Sequence, residues 1–268
     1  MTKTRATKAI HAATPAKAAL RRLATHGISG FAHHLARMMT SDHIEGPHKA
    51  RVDLRKLRTT LAAFRPIIRK PLYSRHQSQL RDLARIIGVL RDADVLAASF
   101  ALPEFAAAAA DQRLTTRALL TKQRAADTAR RLTEAYGGKS WHRAGKKAKA
   151  ASKSPVQPLA VKALDHAFQR SRSHGPDLTV LPEEQRHDLR KSLKTLRYLS
   201  DQFAPIWPAR HGGFTTLLAG LQDDLGRLND LSVARAHGLD APDDPDLLAH
   251  AQTLWHRLHA SPIWWTSA

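Results

Sequence analysis

The chain has 268 residues, no cysteine and a formal net charge of +20. The missing thiols exclude a disulfide framework, a thiolate metal site and a cysteine nucleophile, and no apolar run approaches the ~18 residues of a membrane span. The length suits two packed halves, the cysteine-free composition fits a reducing cytoplasm, and the basic balance calls for a polyanionic partner.

Residues 1–13 read as a loose basic tail. The N-terminus is acid-free until Asp42, in the manner of a transit peptide, but Pro15, Lys17, Arg21 and Arg22 interrupt any secretory apolar core. Thr14-Pro15 then reads as a cap with proline at the first helical position. A helix is expected from there to about Met39, its stripe of Leu20, Leu23, Ile28, Phe31 and Leu35 weakened by Gly27 and Gly30. Gly46-Pro47 opens a second helix that Pro66 ends or kinks. A third spans about 74–100, with Leu80, Leu83, Ile86, Ile87 and Leu90 inward. Pro103 starts a fourth, alanine-rich, that runs to Gly137-Gly138. These elements make a first half over 14–138.

Residues 139–155 carry Lys139, Arg143, Lys146, Lys147, Lys149 and Lys153 among Ser and Ala, with no acid. They read as a solvated basic linker. The second half, 156–268, repeats the layout. Helices are expected at about 157–173, from Pro182-Glu183-Glu184 to Pro205, at 212–236, and from Asp244-Pro245-Asp246 to about His259. No segment alternates with period two. The expected fold is all-α: two four-helix bundles related by internal duplication.

The second helix of each half carries the chemistry. At 100° per residue, His48, Arg51, Arg55 and Arg58 fall within about 80° of one another and span roughly 15 Å, beside a seam of Leu54, Leu57, Leu61 and Phe64. The pattern returns 139 residues later as His187, Arg190, Lys194 and Arg197, with Leu196 and Phe203 matching Leu57 and Phe64. Each half thus holds a ladder of cations one turn apart, flanked by Lys49 and Lys56 in the first and Lys191 in the second. On the third helices, Gly88-Val89-Leu90-Arg91-Asp92 resembles Gly226-Arg227-Leu228-Asn229-Asp230. Asp92 and Asp230 are read as structural acids that pair with nearby cations or hydrogen-bond where the halves meet.

The spacing His-x-x-Arg-x-x-x-Arg-Lys-Leu-Arg at 48–58, continued by His-Asp-Leu-Arg-Lys-x-x-Lys-x-Leu-Arg-Tyr at 187–198 and by the Arg-Asp-x-Asp-Val and Leu-Asn-Asp-Leu segments, resembles the CHAD domain, the conserved histidine α-helical domain. The resemblance covers roughly residues 15–265. It implies two four-helix bundles about a pseudo-twofold, a basic groove lined by both ladders, binding of inorganic polyphosphate, and association with polyphosphate granules. Carried over by position, the contacts are His48, Arg51, Arg55, Arg58, His187, Arg190, Lys194 and Arg197, with Lys49, Lys56 and Lys191 beside them. Lys194 stands where the first copy has Arg55; it keeps the charge and loses the bidentate fork. Such domains often occur beside a triphosphatase barrel, whose strands of alternating glutamates have no counterpart in this sequence.

Polyphosphate suits such a surface, because its charge repeats at short intervals, guanidinium grips phosphate oxygens in pairs, and histidine gains charge as pH falls. Three rivals are weaker. The His187-Asp188 dipeptide of metal-dependent phosphohydrolases does not repeat at His48-Lys49, and the cations around it repel a divalent ion. Nonspecific nucleic-acid binding is driven by the net charge and is the alternative function. It lacks stacking aromatics on the ladders, Tyr198 alone lying near a charged face. Trp207, Trp255, Trp264 and Trp265 read as core or as a C-terminal plug. A membrane surface has no suitable amphipathic helix. No phosphate-binding Gly-rich loop or Ser-His-acid grouping appears. The expectation is a binding module, not an enzyme, with no cofactor and no metal.

Overall fold

The computed structural model describes residues 9–100, 102–138, 140–208 and 212–266; residues 1–8 of the basic tail and Lys139 of the linker lie outside them. The chain divides into two compact units, Thr14–Ser154 and Pro155–Ala268, with Ala9–Ala13 counted in the second. Both are helical, and the described residues contain no strand, only an isolated antiparallel bridge between Ile68 and His142.

The first unit holds α1 (Ala16–Thr40), α2 (Glu45–Ala63), α3 (Lys70–Phe100), α4 (Pro103–Lys122), α5 (Ala125–Gly137) and α6 (Lys146–Lys153), with a short 3₁₀ turn at Arg65–Ile67. Consecutive helices pack pairwise from α1 to α4, and α5 returns to α1. α1 packs on α2 and α2 on α3, and Leu20, Ile28 and Phe31 of α1, Leu54, Leu57 and Leu61 of α2, and Leu80, Ile87 and Leu90 of α3 are all buried. The glycines that weaken α1 as an isolated helix serve this packing. A Cβ at Gly30 would lie 2.9 Å from Asp53 Oδ2, and one at Gly27 would lie 3.5 Å from Leu57. Their absence of side chain lets α2 approach closely.

Two expectations for this half change. The alanine-rich helix from Pro103 breaks in two: Arg124 adopts the left-handed region at φ 50°, ending α4 and starting α5. The linker folds in part, because Gly145 at φ 104° leads into α6, which packs against α1 and the 3₁₀ turn and buries Ser152. The first unit therefore has six helices among its described residues instead of four.

The second unit holds α7 (Gln157–Arg172), α8 (Glu183–Phe203), α9 (Gly212–Ala236) and α10 (Pro245–Ala260), with a 3₁₀ turn at Ala204–Ile206 where Pro205 stops the helix. Asp244 caps α10 by accepting from the Leu247 N–H at 2.8 Å. The C-terminal tryptophans belong to the core. Trp265 sits edge-to-face with Phe168 and Phe214 at 5.7 and 5.3 Å and donates to Asp165 at 2.7 Å. Trp255, fully buried, donates to the Gly175 carbonyl at 2.9 Å. Trp207 packs on Trp264.

Candidate functional site

The two ladder helices are α2 and α8. In α2, Leu54, Leu57 and Leu61 are wholly buried, and the rows beside them carry the cations. Arg51, Arg55, Lys56, Arg58 and His48 are half-buried, and Lys49 is exposed. The guanidiniums of Arg51 and Arg58 reach across to Asp92 and Gln77 on α3. In α8, Leu189, Leu193 and Leu196 are buried, Arg190, Lys194 and Arg197 are half-buried, and His187 and Lys191 are exposed. All eleven expected residues thus lie on the two helices, and each ladder occupies the margin of its own unit's core.

The ladder cations are held in place. Arg58 Nε donates to Gln77 Oε1 at 3.2 Å, and Gln77 Nε2 donates back to the Arg58 carbonyl at 2.8 Å. In the second unit Arg197 donates to Gln222 Oε1 at 3.3 Å, and Gln222 donates to the Leu193 carbonyl at 2.8 Å. In both cases a neutral amide on the next helix orients a guanidinium without cancelling its charge. Burial, with Arg81 nearby, pushes the Arg58 guanidinium down from its ordinary value.

Arg51 is held differently, by Asp92 at 3.2 Å. Asp92 is 70% exposed, so water weakens this pair and a phosphate could displace it. The structural reading of Asp92 is therefore refined: it pairs with a ladder cation. Asp230 accepts from its neighbour Asn229 at 3.5 Å. His187 Nδ1 lies 2.9 Å from Asn229 Oδ1. Lys191 pairs with Asp188 at 2.9 Å and Lys49 with Glu45 at 3.2 Å. The hydrogen bonds from these lysines hold both carboxyls below their usual range.

The third helices supply a further element. A Cβ built on Gly88 would lie 3.6 Å from Arg51 Nε, and one on Gly226 would lie 3.9 Å from Arg190 Nη2. The sequence-matched glycine therefore faces the sequence-matched arginine in each unit.

Gln77, Gln222 and Asn229 escape the sequence reading as ladder partners. Gln77 precedes Gly88 by eleven residues and Gln222 precedes Gly226 by four, so no shared register marks them. The packing of α3 on α2 and of α9 on α8 brings them to the ladders. Among the described residues no group of three or more His, Asp or Glu side chains converges as a metal site would require. Among the described residues no helix is long and apolar enough to cross a membrane.

Comparison with known proteins bears on this arrangement. The family model described as the CHAD domain matches residues 17–238. The fold resembles the crystal structure of a CHAD domain from the plant Ricinus communis, with 18% identity, a TM-score of 0.68 and 95% of each chain covered. It also resembles PptA from Streptomyces chartreusis, with 17% identity, a TM-score of 0.52, and 91% of this chain and 93% of that one covered. A search of the curated proteins finds no match. A family match that takes in both ladders and most of both helical units shows that this chain belongs to the CHAD domain family.

Proposed function

We propose that this protein binds inorganic polyphosphate along its two cation ladders, as a binding module without catalysis of its own, in the cytoplasm and in association with polyphosphate granules. One observation carries the reading. In each unit the cations recur one helical turn apart at the edge of a rigid core, and the arginines of the last rung are oriented by neutral amides. Fixed cations at regular spacing match an anion whose charge repeats along its length. Membership of a family associated with polyphosphate supports it.

Guanidiniums locked by packing and by Gln77 or Gln222 surrender less rotamer freedom on binding than mobile ones. Exposed acids such as Asp92 and Asp188 are the internal competitors that phosphate displaces. A long chain that engages one ladder also presents its remaining phosphates to the other at a high effective concentration, because both ladders belong to one polypeptide.

The test is competition. Labelled long-chain polyphosphate is bound at fixed salt and challenged with duplex DNA, single-stranded RNA and triphosphate. Long-chain polyphosphate should outcompete each of them per phosphate. Preference for DNA or RNA would replace this reading with general nucleic-acid binding.

A further inference from the structure

A second site lies in the first unit, on α3 and α5, one helix away from the α2 ladder. α3 and α5 leave a cavity of about 580 Å³ between them, lined by Arg75, His76 and Gln79 on one side, by Arg131 and Glu134 on the other, and by Ser140. We propose that this cavity binds a phosphoryl anion, either free or as the terminus of a phosphorylated small molecule.

The charges around it lack a counter-ion. Arg75 and Arg131 both line the cavity and form no ion pair among the described residues; Arg131 donates to the neutral Thr128 hydroxyl at 3.2 Å. The one lining acid, Glu134, is bound to Arg130 at 2.9 Å. Arg69 donates to the Ser140 carbonyl at 3.0 Å and adds another cation at the rim. Under these groups His76 is 4% exposed, with Nδ1 3.2 Å from the Tyr136 hydroxyl. Burial first, then Arg75 and Arg131, lowers it to about 4. At neutral pH the imidazole is therefore neutral while two guanidiniums act on it.

The other groups near His76 do not alter that balance. α5 offers the buried Tyr136, whose phenol burial pushes up, away from ionisation. On α2, Arg58 meets Gln77, adjacent to His76, and α1 reaches α5 through Arg21, which donates to the Gly138 carbonyl at 3.1 Å. These are further cations.

Two guanidinium forks fit the terminal oxygens of a phosphoryl group. An arriving anion offsets the two guanidiniums, so His76 takes up a proton more readily than in the free protein, and its midpoint reports the binding. The volume lies within the ~300–1,000 Å³ of small-ligand sites. A concave site of this size takes a compact anion and not a polymer lying across it.

The test uses the full chain with orthophosphate as the probe, triphosphate as the arm for a phosphate terminus, and acetate at equal ionic strength as the control. The ring resonances of His76, identified by their loss in His76→Gln, are followed by NMR through pH titrations with and without each anion. Orthophosphate or triphosphate should shift them and raise the His76 midpoint by at least about one pH unit. The double variant Arg75→Ala, Arg131→Ala alters two exposed side chains, so its helical circular dichroism should match the parent. It should bind orthophosphate at least about tenfold more weakly. The ladder variant Arg55→Glu, Lys194→Glu should keep the His76 response, which separates this site from the polyphosphate reading. A His76 resonance indifferent to both phosphates, an equal response to acetate, or a response that survives in the Arg75, Arg131 double variant overturns the proposal.

Discussion

Arg113→Met should expose how the first unit tolerates a buried ion pair. Arg113 on α4 donates to Asp94 on α3 at 2.6 Å, and the two side chains are 9% and 1% exposed. Asp94 Oδ2 and Arg113 Nη1 are buried and have no hydrogen-bond partner among the described residues. Burial pushes the Asp94 carboxyl up from its ordinary 3.8, against the pull of Arg113 and Arg91. Desolvation therefore outweighs attraction, and the pair is a poor stabiliser that is costly to halve. With Arg113 gone, the carboxylate keeps only the weaker pull of Arg91, and its remaining relief is to take a proton. At pH 7 that costs up to about 1.4 kcal/mol for each of about 3.2 pH units, roughly 4.4 kcal/mol. At pH 5 the same ceiling is roughly 1.6 kcal/mol. Urea unfolding followed by circular dichroism should therefore show a loss approaching 4 kcal/mol at pH 7 that shrinks by more than half at pH 5. The double variant Asp94→Leu, Arg113→Met should return to within about 1 kcal/mol of the parent. A loss below about 1 kcal/mol at pH 7, or one that does not change with pH, would refute the assignment of the cost to the orphaned carboxylate.

Other outcomes follow from the same geometry. Because His76 titrates lower in the folded protein than in the unfolded chain, its effect is nil above about pH 6.5. It destabilises as pH falls toward 4, since the unfolded state then binds the extra proton. The difference in unfolding free energy between the parent and His76→Gln should move by roughly 2 kcal/mol between pH 7 and pH 5, measured by urea titration. Arg55→Glu and Lys194→Glu should each weaken long-chain polyphosphate by more than they weaken triphosphate and leave helicity intact, as read by fluorescence anisotropy and circular dichroism. Equal binding by Lys194→Glu and the parent would confine the site to α2. Chelation should leave polyphosphate binding unchanged; a loss restored by one specific metal ion would contradict the binding-module reading.

The ladders are legible in the sequence because two periodicities coincide there. Leu54, Leu57 and Leu61 fix which face of α2 turns inward, and that places Arg51, Arg55 and Arg58 at its margin. The proline-marked ends of α2 and α8 are equally plain. The break at Arg124 is not, since Gln123-Arg124-Ala125 contains neither glycine nor proline and the alanines on both sides favour helix. The left-handed turn there redirects the chain, and α5 packs onto α1. α6 is hidden for the opposite reason: its lysines and alanines form helix readily, but no apolar stripe announces a buried face. The amide partners of Arg58 and Arg197 are ordinary helical glutamines until the tertiary fold brings them across.

A ladder whose rungs recur each turn has no preferred register against a homopolymer. Sliding the chain by one phosphate restores the same contacts, so a polymer of a hundred units offers about a hundred equivalent placements. That degeneracy contributes RT ln 100, about 2.7 kcal/mol, to the affinity per chain without any new contact. A protein that binds polyphosphate in this way would also diffuse along the polymer without letting go. Equally spaced, pre-oriented cations on α2 and α8 would then set how freely the protein moves on the polymer as well as how tightly it holds.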